Sequence, residues 1–245
     1  MENKRLEMKF DENGNIVWHK SKKLSVINEG NIAFKCTYND NGYRKVCNNN
    51  IYRYNTRIGR IWCVDPQNDC RKFEGKQILE NDYPCYESCL FLNWQFGTGI
   101  KRGKKYHGTH ISLKKANRGK LAFLTTREPI QFEKDRIIFG FIFINDIVNI
   151  PDPEGIKEDA NALEFIIGDK EKSLAIHPEI KLKFWDYYKN PDNQNTLFWN
   201  SDLFTYVSDF TAVNILKDLR QKYNGKNDDA AIKILDNHIA KYTDE

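Results

Sequence analysis

The residues best equipped for chemistry are six cysteines, Cys36, Cys47, Cys63, Cys70, Cys85 and Cys89, all within the first 90 positions. Cys36, Cys47, Cys63 and Cys70 lie in polar, turn-rich stretches (KCTYNDNGY, VCNNN, WCVDPQNDC). Loops of that kind hold zinc thiolates because the metal replaces an apolar core they cannot build. These four are the candidate ligands of a structural zinc, although they lack paired C-x-x-C spacing. Scattered free thiols are the alternative, since nothing sets an activating base beside any one of them. Cys85 and Cys89 differ: PCYESCLFL predicts a helix from Pro84 to about Phe91, with both thiols on one face.

A second group is basic and aromatic. Residues 98–120 carry Lys101, Arg102, Lys104, Lys105, Lys114, Lys115, Arg118 and Lys120 with no Asp or Glu, so this segment is +8 while the other 222 residues sum to −4. Concentrated positive charge of this sort is the footprint of a polyanion-binding face, and these cations are the candidate phosphate contacts. Trp94 and Phe96 stand just before it, and Trp94 and Trp199 are flanked by Asn, Gln or Ser rather than aliphatics. Aromatic faces beside Lys and Arg can stack an unpaired base while the cations hold adjoining phosphates. Ordinary half-buried packing is the alternative for each tryptophan. His107 and His110 lie three apart within the basic segment and read as surface histidines.

One arrangement suits hydrolysis. Asp152, then Glu179-Ile180-Lys181, follows the order of an acid and an acid-x-Lys that holds Mg2+ and polarises a water in metal-dependent nucleases. With 34 acids and 38 bases in the chain, coincidence produces such an order readily. No phosphate-loop, G-x-S-x-G or H-E-x-x-H motif is present.

These residues must be positioned by short elements. Residues 1–83 are turn-heavy, with strand-like pieces at Asn31–Phe34 and Ile51–Tyr54. Leu121–Thr125 and Ile137–Ile144 are apolar runs rich in Ile and Phe, predicted as buried strands. Leu163–Ile167 and Ser173–Ile176 flank GDKE, predicted as a hairpin. Phe210–Tyr223 and Asp228–Tyr242 place aliphatics at helical spacing, with Ser208 or Asp209 and then Asp228 as N-caps. The longest apolar run, Ile137–Ile144, is far short of the roughly 18–20 residues of a membrane span. No apolar signal-peptide core opens the chain, so a cytoplasmic protein is expected. The fold class is α+β, a small sheet or barrel closed by terminal helices.

The segment GKLAFLTTREPIQFEKDRIIFGFIFINDIV (119–148) resembles the strand, short loop and Gly-containing strand of PUA-superfamily domains of the EVE/YTH type. NWQFGTGIKRG (93–103) stands where that family has a W-x-G motif. LAIHPEIKLKFWDYYKN (174–190) and LFTYVSD with its following helix (203–223) are similar to the family's later strand and helix runs. Lys120 departs from the Asp usual after the strand-leading Gly. The resemblance implies a small β-barrel with flanking helices over residues 91–245, preceded by a Cys-containing, turn-rich region at 1–90. It also implies an aromatic cage for a flipped, modified base, lined by Trp94, Thr125, Thr126 and Trp199, to which Phe96 beside the basic segment is added as a candidate wall. The expectation is a non-catalytic reader of modified bases, with DNA favoured over RNA and modified cytosine as ligand. It would be the specificity part of a restriction or defence system, beside a nuclease or helicase effector. The alternatives are the metal-dependent nuclease and a zinc-stabilised interaction protein.

Overall fold

The computed structural model describes residues 6–10, 16–20, 30–64, 70–78, 85, 87–98, 100–101, 109–149, 164–190, 196–197, 199 and 203–243. Two early strands, β1 (Leu6–Phe10) and β2 (Ile16–Lys20), pair antiparallel with each other. Strand β3 (Asn31–Lys35) follows, then helices α1 (Asn49–Arg57) and α2 (Ile61–Val64). Helix α3 (Leu90–Asn93) leads into β4 (Gln95–Gly97), and β5 (Ile100–Lys101) pairs with β6 (Thr109–His110). Strands β7 (Leu121–Thr126), β8 (Ile137–Asn149), β9 (Glu164–Ala175), β10 (Leu182–Lys183) and β11 (Phe204–Val207) complete the sheet. Helices α4 (Asp209–Asn224) and α5 (Asp229–Thr243) end the described chain.

The main sheet has the order β11-β3-β7-β8-β9-β4, with β10 on β8, and curls into a half-barrel. Strand β3, from the region expected to stand apart at 1–90, lies inside this sheet, parallel to β7 and antiparallel to β11. The expected boundary at residue 90 therefore does not divide the sheet. Alternation along its strands explains why both faces are apolar. Ala33, Leu121, Phe123 and Phe141 point to one side, where Ile215, Leu216 and Leu219 of α4 and Leu235 of α5 cover them. Ile32, Phe34, Leu124 and Ile142 point to the other, against Leu90, Phe91, Trp94 and Phe96. Each buried Leu, Ile or Phe among them contributes roughly 1.5–3 kcal/mol.

Three local predictions are corrected. Ile51–Tyr54 is helical, because Asn48 caps α1, accepting from the N–H groups of Asn50 and Ile51 at 3.0 and 3.1 Å. The helix predicted from Pro84 is a 3-10 turn over Glu87–Cys89 followed by the single turn of α3, which Trp94 closes in the left-handed region at φ 52°. The hairpin predicted around GDKE is instead one continuous strand, β9, whose register against β8 jumps between Phe141↔Leu174 and Phe143↔Asp169. The extra residues form a bulge that Asp169 stabilises, accepting from Glu171 N at 3.0 Å and Lys172 Nζ at 2.6 Å. The C-terminal helices form as predicted: Ser208 caps α4 and Asp228 caps α5.

The segment before β7 crosses the open side of the curl. The buried Glu164 carboxylate of β9 accepts from Leu113 N and Ser112 Oγ, and two residues on Lys115 N donates to Tyr206 Oη of β11 at 3.2 Å. Leu113 and Ala116 plug the inner cluster beneath it.

Candidate nucleic-acid interface

The five residues expected to line a base pocket fall into two groups. Trp94 and Phe96 sit inside the curl: the Phe96 ring is 4.4 Å from that of Phe34, and the Trp94 ring is 5.2 Å from that of Phe91. Trp199 belongs to the cluster on the opposite face, 1% exposed and stacked on Phe184 at 4.7 Å with an interplanar angle of 5°. Thr125 and Thr126 end β7, and their hydroxyls donate to the carbonyls of Phe34 (2.7 Å) and Cys36 (3.2 Å). The structure therefore does not gather the five around one space. Trp94 and Trp199 are each buried among neighbouring side chains.

Thr125 and Trp199 do meet, through Arg136. This buried guanidinium reaches Thr125 O and Oγ1 at 3.4 Å, lies 5.4 Å from the Trp199 ring and pairs with Glu133. The Trp199 indole N–H donates to Glu133 Oε1 at 2.9 Å, and Arg127 stands 3.5 Å from Oε2. Burial works to raise the Glu133 carboxyl, but the bonds from Arg136 and Trp199 outweigh it and hold the group below the usual carboxylate range. The network joins the turn after β7 to residue 199.

The Trp94 indole is different. Its Nε1 is buried with no hydrogen-bond partner among the described residues, and its ring lies beside that of Phe91 in the inner cluster. Trp185 Nε1 is in the same condition on the opposite face. A buried donor without an acceptor costs about 1–3 kcal/mol.

The cations of the basic segment are only partly in view. The side chains of Lys101, Arg102, Lys104 and Lys105, and of His107 and His110, lie outside the described residues. Lys114 and Lys115 are exposed, with Lys115 Nζ 5.9 Å from the Tyr206 ring. Arg118 pairs with Asp146, and Lys120 with Asp209 at 2.9 Å. Comparison of the chain with protein-family models, with characterised proteins and with solved structures finds no match.

A second cationic surface was not legible once residues 51–54 were read as a strand. Residues 51–60 hold Arg53, Arg57 and Arg60 and no acid, and all three are exposed. On the helix that actually forms, Arg53 and Arg57 are four apart and share a face. Arg57 lies 5.7 Å from the Tyr54 ring, and Tyr54 Oη accepts from Ile130 N at 3.4 Å, which sets α1 against the β7–β8 turn. That turn adds Arg127 and Lys134, while its acids are engaged: Glu128 with Lys181 (3.8 Å), Asp135 with Lys183 (3.3 Å) and Glu133 with Arg136. The Asn48 cap followed by Arg at four- and three-residue spacing was the available signal.

Two of the three residues of the nuclease alternative can be placed. Glu179 is exposed and paired with Lys226, Lys181 turns to Glu128, and Asp152 lies outside the described residues.

The four candidate zinc ligands divide as well. Cys47 and Cys70 flank Arg71, whose guanidinium is 3.8 Å from Cys47 Sγ and 3.5 Å from Cys70 Sγ. Burial pushes the Cys47 thiol up to about 11, and burial with the nearby Glu87 charge pushes Cys63 up to about 12. Cys36 lies instead in the inner cluster of the curl, where burial raises its thiol. Among the described residues no group of three or more His, Cys, Asp or Glu side chains is disposed to hold a metal ion.

Proposed function

We propose that the chain is a nucleic-acid-binding module, the base-reading specificity part of a restriction or defence system, with modified cytosine in DNA as the ligand class. The observation that carries this reading is the acid-free run Arg53, Arg57 and Arg60, set on and just after α1 beside the β7–β8 turn with its Arg127 and Lys134. A face with exposed Arg and its acids already ion-paired favours a polyanion over an acidic peptide of few charges, because each neutralised phosphate releases a counterion. Lys114 and Lys115 extend the positive charge elsewhere on the surface. The partnerless indole N–H of Trp94 bears on the base-reading half: it lies buried in the inner cluster, so a base edge would supply the acceptor missing there only where that cluster opens to admit it. Among the described residues no helix is long and apolar enough to cross a membrane.

The test is a titration of labelled duplexes carrying cytosine, 5-methylcytosine, 5-hydroxymethylcytosine or N6-methyladenine, read by fluorescence anisotropy over a salt series. Replacing Arg53, Arg57 and Arg60 together by Gln is expected to flatten the slope of log K against log salt by about 2–3, near 0.9 for each phosphate contact removed. Trp94→Phe is expected to reduce the preference between modified and unmodified duplexes while leaving the salt slope in place. Salt-independent or absent binding by the unaltered protein would overturn the reading.

A further inference from the structure

The β7–β8 turn projects two large apolar side chains into solvent. Ile130 is 87% exposed and Phe132 71% exposed, more than the other large apolar residues of this face. Ile130 also holds a φ of 74°, in the left-handed region that a β-branched residue rarely adopts. The turn has fixed neighbours: Tyr54 Oη accepts the Ile130 N–H, Arg127 Nη1 donates to Gln131 O at 2.7 Å, and Lys134 Nζ lies 5.6 Å from the Phe132 ring. The exposed side chains of Ile130 and Phe132 bury little apolar surface in the isolated chain, while the Ile130 backbone is strained. Strain kept at such a place points to function.

We infer that Ile130 and Phe132 form a wedge that enters a DNA duplex between stacked base pairs. The inference rests on the nucleic-acid reading above and adds the device that opens the stack. Apolar wedges of Ile, Leu, Phe, Met or Pro unstack a step when cations on either side hold the flanking phosphates. Here Arg53 and Arg57 stand on the α1 side of the turn, with Lys134 on the turn itself. A protein partner for the same apolar pair would show as association without DNA. The arginines on the α1 side and Lys134 beside Phe132 favour the duplex.

The experiment uses the full chain and a short duplex with 2-aminopurine beside a 5-methylcytosine, matched to one beside unmodified cytosine. Binding is followed by anisotropy and unstacking by 2-aminopurine fluorescence on the same samples. The unaltered protein is expected to raise the fluorescence several-fold at saturation. Ile130→Ser with Phe132→Ser is expected to bind with the same salt slope but to leave the fluorescence near that of free duplex. Ile130→Gly, which relieves the backbone strain, is expected to raise the melting temperature and still lose most of the signal. Binding by the unaltered protein with flat fluorescence on both duplexes would overturn the wedge and leave the nucleic-acid reading intact. No binding at all would overturn both, and self-association that the double substitution abolishes would reassign the pair to a protein contact.

Discussion

Among single residues, Glu87 is the most informative. It is buried beside Thr37, whose N–H it accepts at 2.8 Å, and burial pushes its carboxyl up to about 7 despite that bond and the nearby Arg60. A group whose folded-state pKa is raised adds stability that is complete below its unfolded value and lost as pH climbs through the folded one. Between pH 5 and pH 8, Glu87 should therefore cost the protein roughly 2–3 kcal/mol of stability. His238, which burial holds low, works in the opposite direction over the same range. Comparison with Glu87→Gln isolates the carboxyl, because Gln stays neutral and can still accept from Thr37. Urea unfolding at both pH values should show the variant gaining on the parent as pH rises, and parallel curves would contradict the assignment. Glu133, held low by Arg136 and Trp199, exerts its effect only at more acidic pH. The partition of the aromatic residues belongs to this scale too. NWQ and FWNSD set both tryptophans in polar company, yet both are buried, and the composition of a stretch cannot say that one indole has Glu133 as its acceptor while the other has none among the described residues.

At the level of elements, close approach decides more than propensity. An added Cβ on Gly140 of β8 would lie 2.5 Å from Phe91 Cζ and 2.9 Å from Leu174 O, one a ring and the other backbone. Gly140→Ala is therefore expected to destabilise by about 1–3 kcal/mol, through overpacking between α3 and the sheet, measurable as a lower urea midpoint. The elements that could be read beforehand were those with a strong period and a cap: α4, α5, β7 and the start of β8. Those missed were fixed by a cap that a strand-like period hides or by partners farther along the chain. GDKE has the composition of a hairpin turn, yet it stays within β9 because β8 is long enough to pair on both sides of the bulge. NIYRY alternates like a strand, but Asn48 supplies a helix cap and Tyr54 meets the β7–β8 turn. The same error hid the arginine surface, since only the helical period sets Arg53 and Arg57 side by side.

For the whole molecule, Asn31 ties together what lies far apart in the chain. Its fully buried side chain donates to Asp209 Oδ1 at 2.6 Å, accepts from Leu121 N at 2.9 Å and also accepts from Tyr242 Oη. One amide thus joins β3, β7, α4 and α5. Asn31→Ala leaves Leu121 N buried without its acceptor and is expected to cost roughly 2–4 kcal/mol, whereas Tyr242→Phe keeps that bond and should cost about half as much. Equilibrium unfolding of the two variants would rank them, and equal losses would contradict the role given to Leu121 N. The position of β3 between β7 and β11 also has a consequence for how the protein is made. Asn31 leaves the ribosome 90 residues ahead of Leu121 and 178 ahead of Asp209, so its strand emerges before either neighbour exists. Pairing with β7 covers one side, but the other row of N–H and C=O groups has no native cover until Phe204–Val207 has been synthesised. During translation the strand destined for the interior of the sheet is an open edge, and it is sealed only when Phe204–Val207 has followed it out.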